Sequence, residues 1–202
     1  MKRINSKTYA IALILGIFIL AACNSGAEEP DSDTDSAASS EVSLSETYVF
    51  PGFGYSIDYP TGWTAETRDT FTVISELETD LRNAFQDDSP PAEGLGVSLE
   101  QRTMDFMHGI GLAEDASLED LFEFNKDFFE WQEPIELIEA EVFDTAALGA
   151  RTSGEDDWSY ILMGFTDDRA FLLQFTAPSE EALDDMMPTW EEMLASTQPA
   201  EE

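Results

Sequence analysis

The chain of 202 residues has a single cysteine and a single histidine, and only 9 Lys and Arg against 43 Asp and Glu. Each scarcity removes a class of chemistry. One cysteine cannot close a disulfide within the chain, and zinc sites of the Cys/His type lack ligands. With so few cations there is no basic footprint to displace the counterions of a phosphate backbone, so nucleic acid is excluded as a partner. A Ser or Cys nucleophile with an imidazole base has only His108 to draw on, in Met104-Asp-Phe-Met-His-Gly109. Asp105 stands at helical spacing from it, and the plain expectation for His108 is a surface or turn residue. No Gly-x-Ser-x-Gly, Walker loop, Gly-x-Gly-x-x-Gly or His-Glu-x-x-His occurs. Carboxylates are so abundant that no chosen pair of them identifies a hydrolase.

What is present begins with an address. Residues 1–7 carry three positive charges, and Tyr9 to Ala22 follow as an uncharged run of fourteen. As a helix that run reaches about 21 Å, short of a hydrocarbon core of roughly 30 Å, so a signal peptide is expected over a permanent span. Leu20-Ala21-Ala22-Cys23 ends it and resembles a bacterial lipobox. That resemblance implies diacylglyceryl modification of Cys23, cleavage before it, and an anchor on the extracytoplasmic face of the cell membrane. Removal of residues 1–22 takes Lys2, Arg3 and Lys7, so six cations face 43 acids, a balance of −37.

From Asn24 to Glu46 the chain holds seven acids, no Lys or Arg, and only Val42 and Leu44 as large apolar residues. Residues 23–46 therefore read as a lipidated cysteine followed by a disordered acidic tether. Asp31-Ser-Asp-Thr-Asp35 opens like a calcium loop, but Ser36 and Val42 stand where such a loop needs Gly and a bidentate Glu. Residues 47–202 are expected to form the folded domain, which holds 13 of the chain's 14 Phe and all 4 Trp.

Alternation predicts strands at 47–50, 54–59, 70–75 and 95–102, with a helix over 76–85 between the last two. Ser117 opens a helix whose apolar residues, Leu118 to Trp131, cover an arc of about 180°. Such a face suits a sheet, and an exposed aromatic groove for a ligand is the sharper alternative. Pro134 closes it. Strands are expected at 135–143 and 146–153, then a hairpin, Trp158–Phe165 and Ala170–Thr176, apolar on both faces and so central in a covered sheet. Ser179 caps a last helix with a core stripe from Leu183 to Leu194, where Pro188 should cause a kink or break near Asp184.

Gly54-Tyr-Ser-Ile-Asp-Tyr-Pro-Thr-Gly-Trp63 resembles the opening strand and turn of PsbP-like domains, named for an extrinsic subunit of photosystem II. The late hairpin and closing helix are similar too. The resemblance implies an α+β fold, an α/β/α sandwich with a central, mostly antiparallel sheet flanked by helices, shared with a Ran-binding nuclear import factor. It implies docking on larger assemblies rather than catalysis. Tyr55, Tyr59, Pro60, Gly62 and Trp63 carry the match as core and turn. The resemblance implies docking through basic residues in the photosynthetic subunit, whereas this domain has only Arg68, Arg82, Arg102, Lys126, Arg151 and Arg169 against 36 acids, which argues against a photosynthetic role.

The expected role is therefore that of a membrane-anchored accessory protein, without cofactor, whose acidic surface steers a basic protein partner. The alternative is binding of a divalent cation, calcium or manganese, or a small ligand, at Glu155, Asp156 and Asp157 in the turn before the hairpin. A carboxylate hydrolase ranks last.

Overall fold

A computed structural model describes residues 42–87, 93–129, 137–153 and 157–200. Ten strands and four helices follow in chain order among them. β1 (Leu44–Val49) and β2 (Tyr55–Pro60) pair antiparallel, and β10 (Gln198–Pro199) adds to β2, giving a small three-stranded sheet. β3 (Thr64–Arg68), β4 (Phe71–Ser75), β5 (Gly96–Thr103), β6 (Leu137–Val142), β7 (Thr145–Ser153), β8 (Trp158–Phe165) and β9 (Arg169–Ala177) form the main sheet. Its order is β3-β4-β5-β9-β8-β7-β6, antiparallel throughout. The helices are α1 (Glu78–Asp87), α2 (Met104–Gly109), α3 (Leu118–Phe129) and α4 (Glu180–Ala195).

Because strand side chains alternate, β8 divides its apolar run between two cores. Tyr160 and Leu162 face α4, whose Leu183, Trp190 and Met193 pack on them together with Leu173 and Phe175 of β9. Ile161 and Met163 face the other way, onto Leu121 and Phe122 of α3. α1 packs on that second face too, through Leu81 and Ala84 against Val73. Three layers result: α1, α2 and α3, then the seven-stranded sheet, then α4 with the small sheet. The hairpin apolar on both faces does lie in the middle, β9 being the fourth strand of seven.

The sequence expectation differs from the structure in several places. β1 begins at Leu44, inside the segment assigned to the tether, because Tyr48 and Leu44 pack against the core and the strand pairs along β2. The opening strands form their own sheet instead of joining the main one. β3, Thr-Ala-Glu-Thr-Arg, gave no apolar alternation because it is an edge strand with one neighbour. α2 escaped notice at six residues, although Thr103 is its N-cap and accepts from the Phe106 N–H at 3.3 Å. α4 is unbroken across Pro188. Leu183 on one side of the proline and Trp190 and Met193 on the other are held on the same core, which keeps the helix continuous across it. The segment 130–136, expected to end one helix and begin a strand, lies outside the described residues.

Local strain concentrates at the β6–β7 turn. Phe143 and Asp144, both non-glycine, have φ of 53° and 56°, the left-handed pair that a two-residue hairpin turn requires. Burial of Phe143 holds it there: its ring meets Phe53 at 4.8 Å and Phe171 at 5.2 Å, both edge-on, and so joins the 50s loop to the main sheet. Gly164 of β8 lies at a close approach. A Cβ there would stand 2.8 Å from the Phe171 ring and 2.9 Å from the Ala146 carbonyl oxygen. Since that backbone is fixed by β7–β8 pairing, Gly164→Ala is expected to cost about 1–3 kcal/mol by overpacking. Urea denaturation would show it as a lowered midpoint with unchanged slope.

Candidate functional site

Helix coverage of the main sheet is uneven. Among the described residues of the face that carries them, α1 lies on β3 and β4, α3 on β7 and β8, and the short α2 on β5 and β9. β5 and β9 thus floor a groove, open to solvent, of about 310 Å³. Ala170 and Leu172 of β9 form its base. Leu121, Phe124 and Asn125 of α3 make one wall, and Phe106, Met107 and Ile110 the other. Phe106 and Ile110 are 48% and 49% exposed, one helical turn apart.

Charge reaches the floor through β5, whose Glu100 and Arg102 both line the groove beside Leu172 and Ala170. Arg102 of β5 is ion-paired with Glu100, donates to the Thr70 hydroxyl at 2.5 Å, and lies 5.4 Å from the Phe106 ring centroid. Lys126 pairs with Glu123 across 3.5 Å. On α2, the loop after it and α3, the exposed acids Asp105, Glu114, Asp115, Glu119, Asp120 and Glu123 outnumber these cations. Asp120 is held below the usual carboxylate range by hydrogen bonds from Ser117, whose N–H donates to it at 2.9 Å while its own N–H donates back to the Ser117 hydroxyl at 3.1 Å. That reciprocal pair starts α3, as the sequence predicted.

A second, more polar depression lies at the end of the main sheet that carries the β6–β7 and β8–β9 turns, with Tyr55, Phe165, Asp144, Asp167 and Asp168 on its wall. Burial first, then Asp144 and Asp167, push the Tyr55 phenol up from its ordinary value. Trp158 pairs with Ala177 and Phe165 with Ala170, so Asp157 lies at the opposite end of the β8–β9 hairpin from Asp167 and Asp168. Of the three weak metal candidates, Asp157 is half-buried beside β8, whereas Glu155 and Asp156 lie outside the described residues, as do Leu20, Ala21, Ala22 and Cys23. Among the described residues no group of three or more His, Cys, Asp or Glu side chains could hold a metal ion. His108 lies on α2, its Nε2 buried without a hydrogen-bond partner, and no bond or ion pair joins it to Asp105.

One buried carboxyl stands apart from both depressions. Asp80 of α1 is 1% exposed; its Oδ2 accepts from the Ser75 hydroxyl at 3.1 Å, and its Oδ1 has no partner. Burial above all, with Glu93 and Glu76 adding, raises its pKa against the lowering effect of the Ser75 and Gly94 hydrogen bonds. The folded state therefore keeps this proton longer than the unfolded chain does. Stability from the group is complete below the unfolded value, about 3.9, and is lost as pH rises through the raised folded value. Asp80→Asn should gain on the wild type over that window, by at most about 1.4 kcal/mol per pH unit. Paired denaturant titrations from acid to neutral pH check this, and a constant gap would refute it.

The groove was only half visible in the sequence. Phe124 and Leu121 belonged to the wide apolar face of α3, but the opposite wall is a six-residue helix with no periodic signal, and the floor comes from strands some seventy residues apart in the chain.

No protein-family model matches this chain, and no curated protein does. Solved structures do. A protein of Bacteroides thetaiotaomicron VPI-5482 is 15% identical with a TM-score of 0.46, covering 79% of this chain and 50% of its own, so this chain spans half of that protein's length. Cyanobacterial PsbP (CyanoP) of Synechocystis sp. PCC 6803 is 13% identical with a TM-score of 0.49, over 77% and 92%. The Ran-binding protein Mog1p of Saccharomyces cerevisiae is 11% identical with a TM-score of 0.51, over 78% and 96%. Identities this low speak to fold alone: this chain shares its fold with Mog1p, an α+β arrangement of helices about an antiparallel sheet, in agreement with the α+β expectation.

Proposed function

We propose that the protein is a lipid-anchored, extracytoplasmic binding protein that docks on a membrane-associated protein complex and has no catalytic role of its own. The observation that carries this reading is the open apolar groove over β5 and β9. Apolar side chains left exposed around such a groove mark a place for another molecule. The lipobox supplies the membrane location. The fold shared with a Ran-binding protein supports protein binding as a use for the scaffold. An acidic surface favours a partner with basic surface, through steering that weakens with salt.

The test is to isolate the lipidated protein from its own membranes after mild crosslinking at low salt. One stoichiometric partner, lost at high salt, is the expected result. An empty lane with folded, abundant protein overturns docking. A second reading, a small apolar ligand in the same groove, is favoured by its size, at the lower end of the range of about 300–1,000 Å³ for ligand pockets. Protection against heat by the ligand and not by any protein would identify it.

A further inference from the structure

We infer that the groove between α2 and α3 is the docking site itself, and that its occupant is a basic amphipathic helix of the partner; this rests on the docking reading above. Three features select that occupant. First, β5 and β9 are interior strands, each paired on both sides, so no strand can be added along the groove floor. The walls are helices, and a helix laid between them is the remaining regular element that fits. Second, Phe106 and Ile110 point outward one turn apart beside a cavity of about 310 Å³, room for a pair of large apolar side chains at matching helical spacing.

Third, the surrounding charge chooses among apolar occupants. Six exposed acids stand on the two elements that form the walls and on the loop between them, none of them lining the groove itself, namely Asp105, Glu114, Asp115, Glu119, Asp120 and Glu123. The nearby cations Arg102 and Lys126 already have acidic partners. A fatty acid or other anionic amphiphile would bring like charge to these elements. A second copy of the chain would bring the same acids. A helix with apolar residues on one face and Lys or Arg on the other meets both the cavity and the acidic elements that wall it.

The test uses the full lipidated chain in neutral phosphatidylcholine vesicles and a labelled designed helix of about 18 residues, Leu and Phe on one face and Lys on the other, beside the same peptide with Glu for Lys. Saturable binding of the Lys peptide is expected, weakened at least about tenfold by high salt, by Phe106→Asp, and by exchange of Lys for Glu. The Phe106→Asp,Ile110→Asp protein on the same vesicles measures what the lipid alone takes up. Unchanged thermal melting of these half-exposed variants shows that they fold. Equal affinity for the acidic peptide, equal affinity of Phe106→Asp, absence of saturable binding, or competition by dodecanoate in place of the Lys peptide would each overturn the inference. Co-isolation separates this from the broader proposal: a partner retained equally by Phe106→Asp leaves docking standing and removes this site, whereas no partner for the wild type removes docking.

Discussion

Trp190→Ala is expected to destabilise the domain by about 3–5 kcal/mol, enough to remove a large share of the roughly 5–15 kcal/mol that holds a typical domain. Trp190 is 0% exposed, at the centre of the face of α4 that meets the main sheet. Its ring lies 4.9 Å from that of Phe175, tilted by 36°, and Leu183 and Met193 complete the same contact. Truncation would open a cavity between helix and sheet that neither layer can close, since β8 and β9 are fixed on both sides by strand pairing. The indole Nε1 is buried without a hydrogen-bond partner, so the residue contributes volume and dispersion rather than a polar bond. Trp190→Phe should accordingly cost much less than the alanine change, because part of the lost contact is offset by removal of an unpaired N–H. Chemical denaturation of the two variants side by side checks both halves. Equal losses would mean that Nε1 has a partner after all.

That contrast also shows what a sequence makes legible. The stripe Leu183, Trp190, Met193 and the two-faced runs Trp158–Phe165 and Ala170–Thr176 are long, apolar and periodic, so burial could be read directly from them. Features set by tertiary context could not. β3 is a polar edge strand that exists because Thr64 to Arg68 pair with β4 in register, not because of its own composition. The separate small sheet depends on β10, two residues near the far end of the chain that pair with Ser56 and Tyr55. The continuity of α4 through Pro188 follows from packing that local propensity does not contain. The candidate site shows the same division: α3 announced an apolar face, but the groove is defined by where the helices settle, α1 on β3 and β4 and α3 on β7 and β8. Acid-rich turns, by contrast, were conspicuous in the sequence and uninformative, since 43 acids place a carboxylate cluster almost anywhere.

Cys23→Ala is expected to move the protein from the membrane pellet to the soluble fraction almost completely. Among the described residues no helix is long and apolar enough to cross a membrane, and on the proposed reading attachment lies in the N-terminal region. Two physical routes exist there. If Cys23 carries two acyl chains, each buried methylene contributes about 0.8 kcal/mol, and two chains give the stable anchoring that one does not. Substitution removes the thiol on which that chemistry depends. If instead the run from Tyr9 to Ala22 remained uncleaved, its fourteen uncharged residues would hold the chain regardless of residue 23, through a segment shorter than a bilayer core is thick. Fractionation with intact mass measurement separates the two. Lipidation gives a wild-type mass starting at Cys23 with added acyl mass and a soluble variant; retention of the variant in the pellet, at a mass that includes residues 1–22, would overturn the lipoprotein reading. Partner docking through the groove would then have to be judged for a chain held by a peptide anchor, with Lys2, Arg3 and Lys7 still attached and six cations raised to 9 against the same 43 acids.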